Sequence, residues 1–461
     1  MTTDQIILAL ACAAIAMLVL LVTRWKMNPF IALTLAALAV GGGAVVLGVR
    51  PAGNANAWTM AGVFTSFQGG MGRTLGGIAG VIALGTILGK LLAESGGAEV
   101  LAKGFNGFFG PRRVGWCIAA LAIAVGLSTW FAVGMVILLP ILVTLTRETG
   151  RPFLMLAIPM FSFLSVMHGV MPPHPGPVVA IANLHASTGG VLMWGFLIGI
   201  PTAAIAGPFF ARFAVRRVEA SPPELRSGAA REGLRPPTFG ITLFSILLPV
   251  ALMLCGTTVD LLHAKETAFG RVGLFIGNPL AALLISVLFA TWSLGTRTGA
   301  TAPQLLRFSE ESIASIGMTL LVVGGGGGFA SVLSDSGVAR ILGGLAADAH
   351  LSPLLYGWLV SAFIRVATGS ATVSITVASE LLVPIVAAHP DVNVELLIVA
   401  IGCGSLFLSH LNDGGFWIVR DCLGLTVGQT LRTWTITETI VGLAGLTITL
   451  GVHAIWHALQ H

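Results

Sequence analysis

The chain has 461 residues, of which 55% are hydrophobic and only 9% charged, with a formal charge of +5. A water-soluble chain carries roughly 25% charged residues, so this one lacks the polar surface to face water on every side. Composition therefore excludes a disordered chain, a secreted disulfide scaffold and a nucleic-acid-binding module, and it leaves an integral protein of the lipid bilayer.

Taken in chain order, apolar stretches of spanning length lie at 5–23, 28–49, 74–93, 190–211, 241–259, 272–295, 312–334 and 434–457. The first ends in Arg24-Trp25-Lys26 without a small-residue cleavage site, which predicts a retained helix and not a signal peptide. Between Arg113 and Arg147 lie 33 uncharged residues. That is too many for one helix of about 20 residues and too few for two. With a break at Gly126–Gly134, the segment 114–147 predicts a re-entrant hairpin. In 153–184 the run Met171-Pro172-Pro173-His174-Pro175-Gly176-Pro177 interrupts the helix, because each proline removes a backbone donor and crowds the preceding turn. In the second half, 353–388 predicts another hairpin broken at Thr368-Gly369-Ser370, and 394–420 another helix broken at His410–Gly415.

These readings give a domain plan. Residues 1–211 form a first transmembrane repeat, 212–240 an arginine-rich cytoplasmic linker, and 241–461 a second repeat. The halves match at a nearly constant offset: Glu94-Ser95-Gly96 with Asp335-Ser336-Gly337, Pro140 with Pro384, His168 with His410, and Trp194 with Trp434. Five crossings per half make the second repeat inverted. With the linker inside, 18 of the 24 Lys and Arg fall on the cytoplasmic side, five fall outside, and Arg365 lies within the second hairpin. The positive-inside rule expects that direction, and it explains the net charge without an anionic partner. The predicted fold is all-α and polytopic, with two inverted repeats.

Inverted repeats with discontinuous helices place a substrate site near the midplane of a secondary transporter. A broken helix offers N–H groups to a carboxylate at one end and carbonyls to a cation at the other. The candidate substrate-binding residues are Ser128, Thr129, His168, His174, Arg365, Thr368, Gly369, Ser370, Thr372 and Asn412. The hydroxyls suit a hydroxylated substrate, or else they bond their own helices. Arg365 meets an anionic substrate, Asp413 or backbone carbonyls. Asp413 and His168 are candidates for proton coupling; Asp413 equally reads as a helix cap. Glu438, inside the last span, is left without a role. The five cysteines share no metal-ligand spacing and read as packing residues, and no metal or cofactor is expected. The glycine run Gly324–Gly328 reads as close helix packing.

The stretches LGKLLAESGG (88–97), HGVMPPHPGP (168–177), GIPTAAIAGPFF (199–210), GGGFASVLSDSG (326–337), RVATGSAT (365–372), SHLNDGGFW (409–417) and LTVGQTLRTWTITE (425–438) resemble the gluconate permease family. The resemblance implies import of gluconate, a related sugar acid or D-serine across the bacterial inner membrane, driven by protons. It also implies a scaffold domain that carries most of the contact of a homodimer, and a transport domain that bears the two hairpins and moves elevator-fashion. One departure is Ala132, in Trp130-Phe131-Ala132-Val133-Gly134, where relatives usually carry an acid. Proton symport of a small hydroxylated carboxylate is thus the expected function. A D-serine or other amino-acid permease, sodium coupling, a passive channel and an intramembrane enzyme are the alternatives.

Overall fold

The computed structural model describes residues 2–49, 58–110, 113–127, 129–220, 222, 235–262, 266–338, 341, 352–411 and 413–460. Most of the predicted linker, together with Ser128 and Asn412, lies outside the described residues. Among those described, every regular element is helical.

The first half comprises α1 (Thr3–Thr23), α2 (Pro29–Val46), α3 (Met60–Glu94), α4 (Gly97–Phe109), α5 (Val114–Gly126), α6 (Phe131–Thr149), α7 (Phe153–Val170), α8 (Pro175–Asn183), α9 (Thr188–Ala204) and α10 (Phe210–Ala214). The second comprises α11 (Phe239–Leu261), α12 (Ala268–Gly277), α13 (Pro279–Ala290), α14 (Ala302–Asp335), α15 (Pro353–Thr368), α16 (Ala371–Ala388), α17 (Val394–Gly404), α18 (Gly414–Leu423), α19 (Val427–Thr430) and α20 (Ile436–Gln460). Eight described helices are long and apolar enough to cross a membrane, or up to nine if bent α3 counts as one span.

Two expected spans change shape. The span expected at 74–93 belongs to a helix that starts at Met60. Its first turns are rich in glycine and polar residues, which lowers local hydropathy, yet they pack on α14. A Cβ at Gly70 would lie 2.5 Å from the Gly327 carbonyl oxygen, so glycine is what lets the two backbones approach. The span expected at 272–295 is divided between α12 and α13. Pro279 forces Asn278 into extended backbone (ψ 131°), and the Asn278 side chain then caps α13 by accepting from the Leu280 N–H.

The helices pack as two bundles. In the first, α3 lies along α14, with α2 and α13 flanking them and α1, α11 and α12 outside. In the second, α5 and α6 pack on α7, α15 and α16 on α17, and α9 and α20 close the far side. Helices α8 and α16 run along the junction, where α16 touches α14 and α8 touches α3. The same order recurs in each half: a long helix (α3, α14), a helix pair joined by a short break (α5–α6, α15–α16), then a helix interrupted mid-way (α7–α8, α17–α18). Large apolar side chains such as Leu197, Phe213, Phe244, Leu288, Phe363 and Leu443 are exposed on the outside. A continuous apolar exterior of this kind is compatible with lipid and not with water.

Candidate functional site

The helix breaks converge. Helix α5 ends at Gly126 and α6 begins at Phe131, and Trp130 precedes α6 without a side-chain cap. Between α15 and α16, Gly369 takes the left-handed conformation (φ +72°), which costs glycine little. Ser370 then caps α16, its hydroxyl accepting from the Val373 N–H at 3.3 Å. Between α17 and α18 the chain is non-helical over Ser405–Leu411, a break that starts earlier than expected, and Asp413 caps α18 by accepting from the Gly415 N–H at 2.8 Å.

A cavity of about 370 Å³ lies where these breaks meet. Phe131 and Ala132 open α6, Ala371 and Thr372 open α16, and Gly414 and Gly415 open α18, and all six line it. The first N–H groups of a helix have no intrahelical acceptor and carry the positive end of its dipole. Three helix N-termini meet this cavity: that of α6 has no side-chain cap, that of α16 is capped by Ser370 and that of α18 by Asp413. Met318, Val322 and Val323 of α14 supply the wall contributed by the first bundle.

The charged groups are held rigidly. Arg365 donates Nη2–H to Asp413 Oδ2 across the second bundle, and Nη1–H to the Gly369 carbonyl at 2.5 Å. Ser409 also donates to Asp413 Oδ2, and accepts from Trp434 Nε1–H at 2.6 Å. Arg365 is 3% exposed and Asp413 8% exposed. Their opposite charges offset one another within the bundle.

Of the residues read from sequence, His168, Arg365, Gly369, Ser370, Thr372 and Asp413 line the cavity. Thr129, Thr368 and His174 do not. The Thr129 and Thr368 hydroxyls donate to the carbonyls of Val125 and Ile364 in the preceding turn, both at 2.8 Å. His174 donates Nε2–H to the Gly126 carbonyl at 2.6 Å and meets the His168 ring edge-on at 5.0 Å, so it braces the first break from behind. Sequence reasoning missed Ser165, Trp434 and, above all, Glu438 as cavity residues, and Ser409 as a partner of Asp413. Glu438 is fully buried, accepts from the Ser165 hydroxyl at 2.8 Å through Oε2, and leaves Oε1 without a partner. An acid inside a span was the available signal. Nothing local says which way it faces. Among the described residues no group of three His, Cys, Asp or Glu is placed to hold a metal ion.

The sequence profile of the GntP family permease matches residues 6–455. The chain belongs to the GntP permease family. It is 39% identical to a gluconate permease of Pseudomonas aeruginosa, covering 98% of both chains. It is 37% identical to the Gnt-II system L-idonate transporter of Escherichia coli, covering 98% of this chain and 100% of that one. A D-serine transporter of Escherichia coli, DsdX, is 34% identical over 94% of this chain and 95% of its own. Among solved structures, the YdaH transporter of Alcanivorax borkumensis superposes with a TM-score of 0.65 at 14% identity, covering 94% of this chain and 98% of that one. MtrF of Neisseria gonorrhoeae gives 0.63 at 12% identity, covering 91% and 93%. Those two show a shared fold. The chain is therefore a multi-pass membrane transporter of the gluconate permease type, and not an enzyme.

Proposed function

We propose that this permease imports a small hydroxylated carboxylate, gluconate or a related sugar acid, with a proton across the bacterial inner membrane. The observation that carries the reading is the meeting of three helix N-termini on one cavity that also presents hydroxyls from Ser165, Ser370 and Thr372. The substrate carboxylate takes the uncapped N–H groups of α6 and those at the start of α16. Its hydroxyls meet Ser370, Thr372 and His168, while the Arg365–Asp413 pair holds the second break in shape.

The recurring element order supports two inverted repeats, with α5–α6 and α15–α16 as re-entrant hairpins that enter and leave by one face. The bundle of α1–α3 and α11–α14 is then the scaffold and carries the contact of a homodimer. The other bundle carries the site and moves against it. The segment 212–240 is cytoplasmic, in keeping with its arginines.

Competition tests the substrate class. Uptake of labelled gluconate by cells producing the chain is challenged with gluconate, idonate, lactate and D-serine, with and without sodium. Displacement by the sugar acids, independent of sodium, supports the reading. Displacement by D-serine in preference to sugar acids moves the assignment to a zwitterion.

A further inference from the structure

Glu438 is a fully buried carboxylate that lines the substrate cavity from the last helix. One hydrogen bond, from Ser165, reaches it, and its Oε1 has no partner. The titratable groups facing it are His168 of α7, Arg365 of α15 and Asp413 at the head of α18, all on the same cavity. Of the other helices packed on α20, α9 brings no titratable residue, and Cys403 of α17 lies against Gly445, two turns further along. The two Nη groups of Arg365 donate to Gly369 and Asp413, and its Nε–H has no partner.

Asp413 and Glu438 are thus acids in opposite circumstances. Both Asp413 oxygens accept hydrogen bonds, from Gly415, Ser409 and Arg365. A proton on Asp413 would displace one of these donors and strand a buried guanidinium, which is the costly way to break a buried pair. A proton on Glu438 strands nothing. It removes an uncompensated charge and gives Oε1 a hydrogen to donate into the cavity.

Resting on the reading of the cavity as a carboxylate site, we infer that Glu438 carries the transported proton, and that Asp413 stays ionised as the partner of Arg365. The coupling is electrostatic. A substrate carboxylate and an ionised Glu438 in one cavity of about 370 Å³ repel each other. Substrate binding therefore favours protonated Glu438, and by linkage protonation favours substrate. One O–H bond forms, with a proton from the outer solution, and the same bond breaks when that proton leaves to the cytoplasm after the substrate. The site carries the same net charge in both directions: bound anion with neutral Glu438 going in, ionised Glu438 alone coming back.

The experiment follows proton uptake and transport together. Purified protein in weakly buffered detergent solution is mixed with gluconate, and a pH dye reports protons taken up. At a starting pH alkaline enough that Glu438 is ionised in the free protein, wild type takes up as much as one proton per gluconate bound, and Glu438→Gln takes up none. In proteoliposomes Glu438→Gln exchanges gluconate but no longer concentrates it under an acid-outside gradient, so the inside-to-outside ratio stays at one. Unchanged proton uptake and accumulation in Glu438→Gln overturns the inference. Failure of wild type to bind gluconate strikes instead at the proposed function. If Glu438→Gln does not fold, infrared difference spectra of wild type with and without substrate still decide. A protonated-carboxyl band that shifts on ¹³C-labelling of glutamate supports Glu438; one that shifts only with labelled aspartate overturns the assignment.

Discussion

Arg365 and Asp413, 48 positions apart, form an ion pair buried inside the second bundle. The pair ties the break between α15 and α16 to the break between α17 and α18, so two interrupted elements share one electrostatic anchor. Removing one member leaves the other charged and desolvated. Asp413→Ala is expected to cost about 3–5 kcal/mol of stability. The double substitution Arg365→Met with Asp413→Leu should recover most of that loss and still fail to transport. Unfolding in detergent, monitored by circular dichroism, separates the two outcomes; an Asp413→Ala protein as stable as wild type would contradict the role given to the pair.

Ser409 stands between Trp434 and Asp413, accepting from one and donating to the other. Ser409→Ala leaves the buried indole N–H without an acceptor, a loss of about 1–3 kcal/mol. Trp434→Phe removes the donor itself, and Ser409 keeps its bond to Asp413. That variant should lose less through hydrogen bonding, and Trp434→Phe in the Ser409→Ala background should lose nothing further from that source. A double-mutant cycle on unfolding free energies measures the coupling.

Two glycines of α14 should respond to alanine with opposite signs. A Cβ at Gly327 would fall 2.0 Å from Thr74 Oγ1 and 3.1 Å from the Gly70 carbonyl oxygen. Gly327→Ala therefore overpacks the α3–α14 contact, at about 1–3 kcal/mol. Gly317 has open space around it, and Gly317→Ala gains up to about 1 kcal/mol of helix propensity. Melting temperatures of the two variants give the comparison directly.

Trp130 forms one side of the cavity and is fixed by donating Nε1–H to Thr86 Oγ1 of α3 at 3.0 Å. Trp130→Ala enlarges the cavity at the first break. The expected result is a shift toward longer acids, with the ratio of kcat/KM for gluconate over lactate rising about tenfold. Trp130→Phe keeps a ring on the cavity wall and should leave that ratio within a factor of two or three. Competition kinetics in proteoliposomes provide the readout.

The interrupted helices were readable wherever the interruption is local chemistry. Pro172 and Pro173 cannot continue α7, and Gly369 followed by Ser370 ends one helix and caps the next. Arg365 and Asp413 were legible as rare charges in apolar surroundings, with their pairing among the options considered. What composition could not supply is contact between distant segments. The bonds from Ser165 to Glu438 and from Trp434 to Ser409 join residues on different helices, and no periodicity marks them. The early start of α3 was hidden for a related reason, since hydropathy penalises the glycines that allow its approach to α14. Thr129 and Thr368 show the opposite error: hydroxyls near a break looked available, but each bonds a carbonyl of its own helix.

The central claim is tested most directly by uptake of labelled gluconate into proteoliposomes containing the purified chain, with an acid-outside gradient and no sodium. The account predicts accumulation above the external concentration, collapse with a protonophore, and competition by other sugar acids. Absence of uptake by folded protein under that gradient, or uptake that requires sodium and ignores the protonophore, would contradict it.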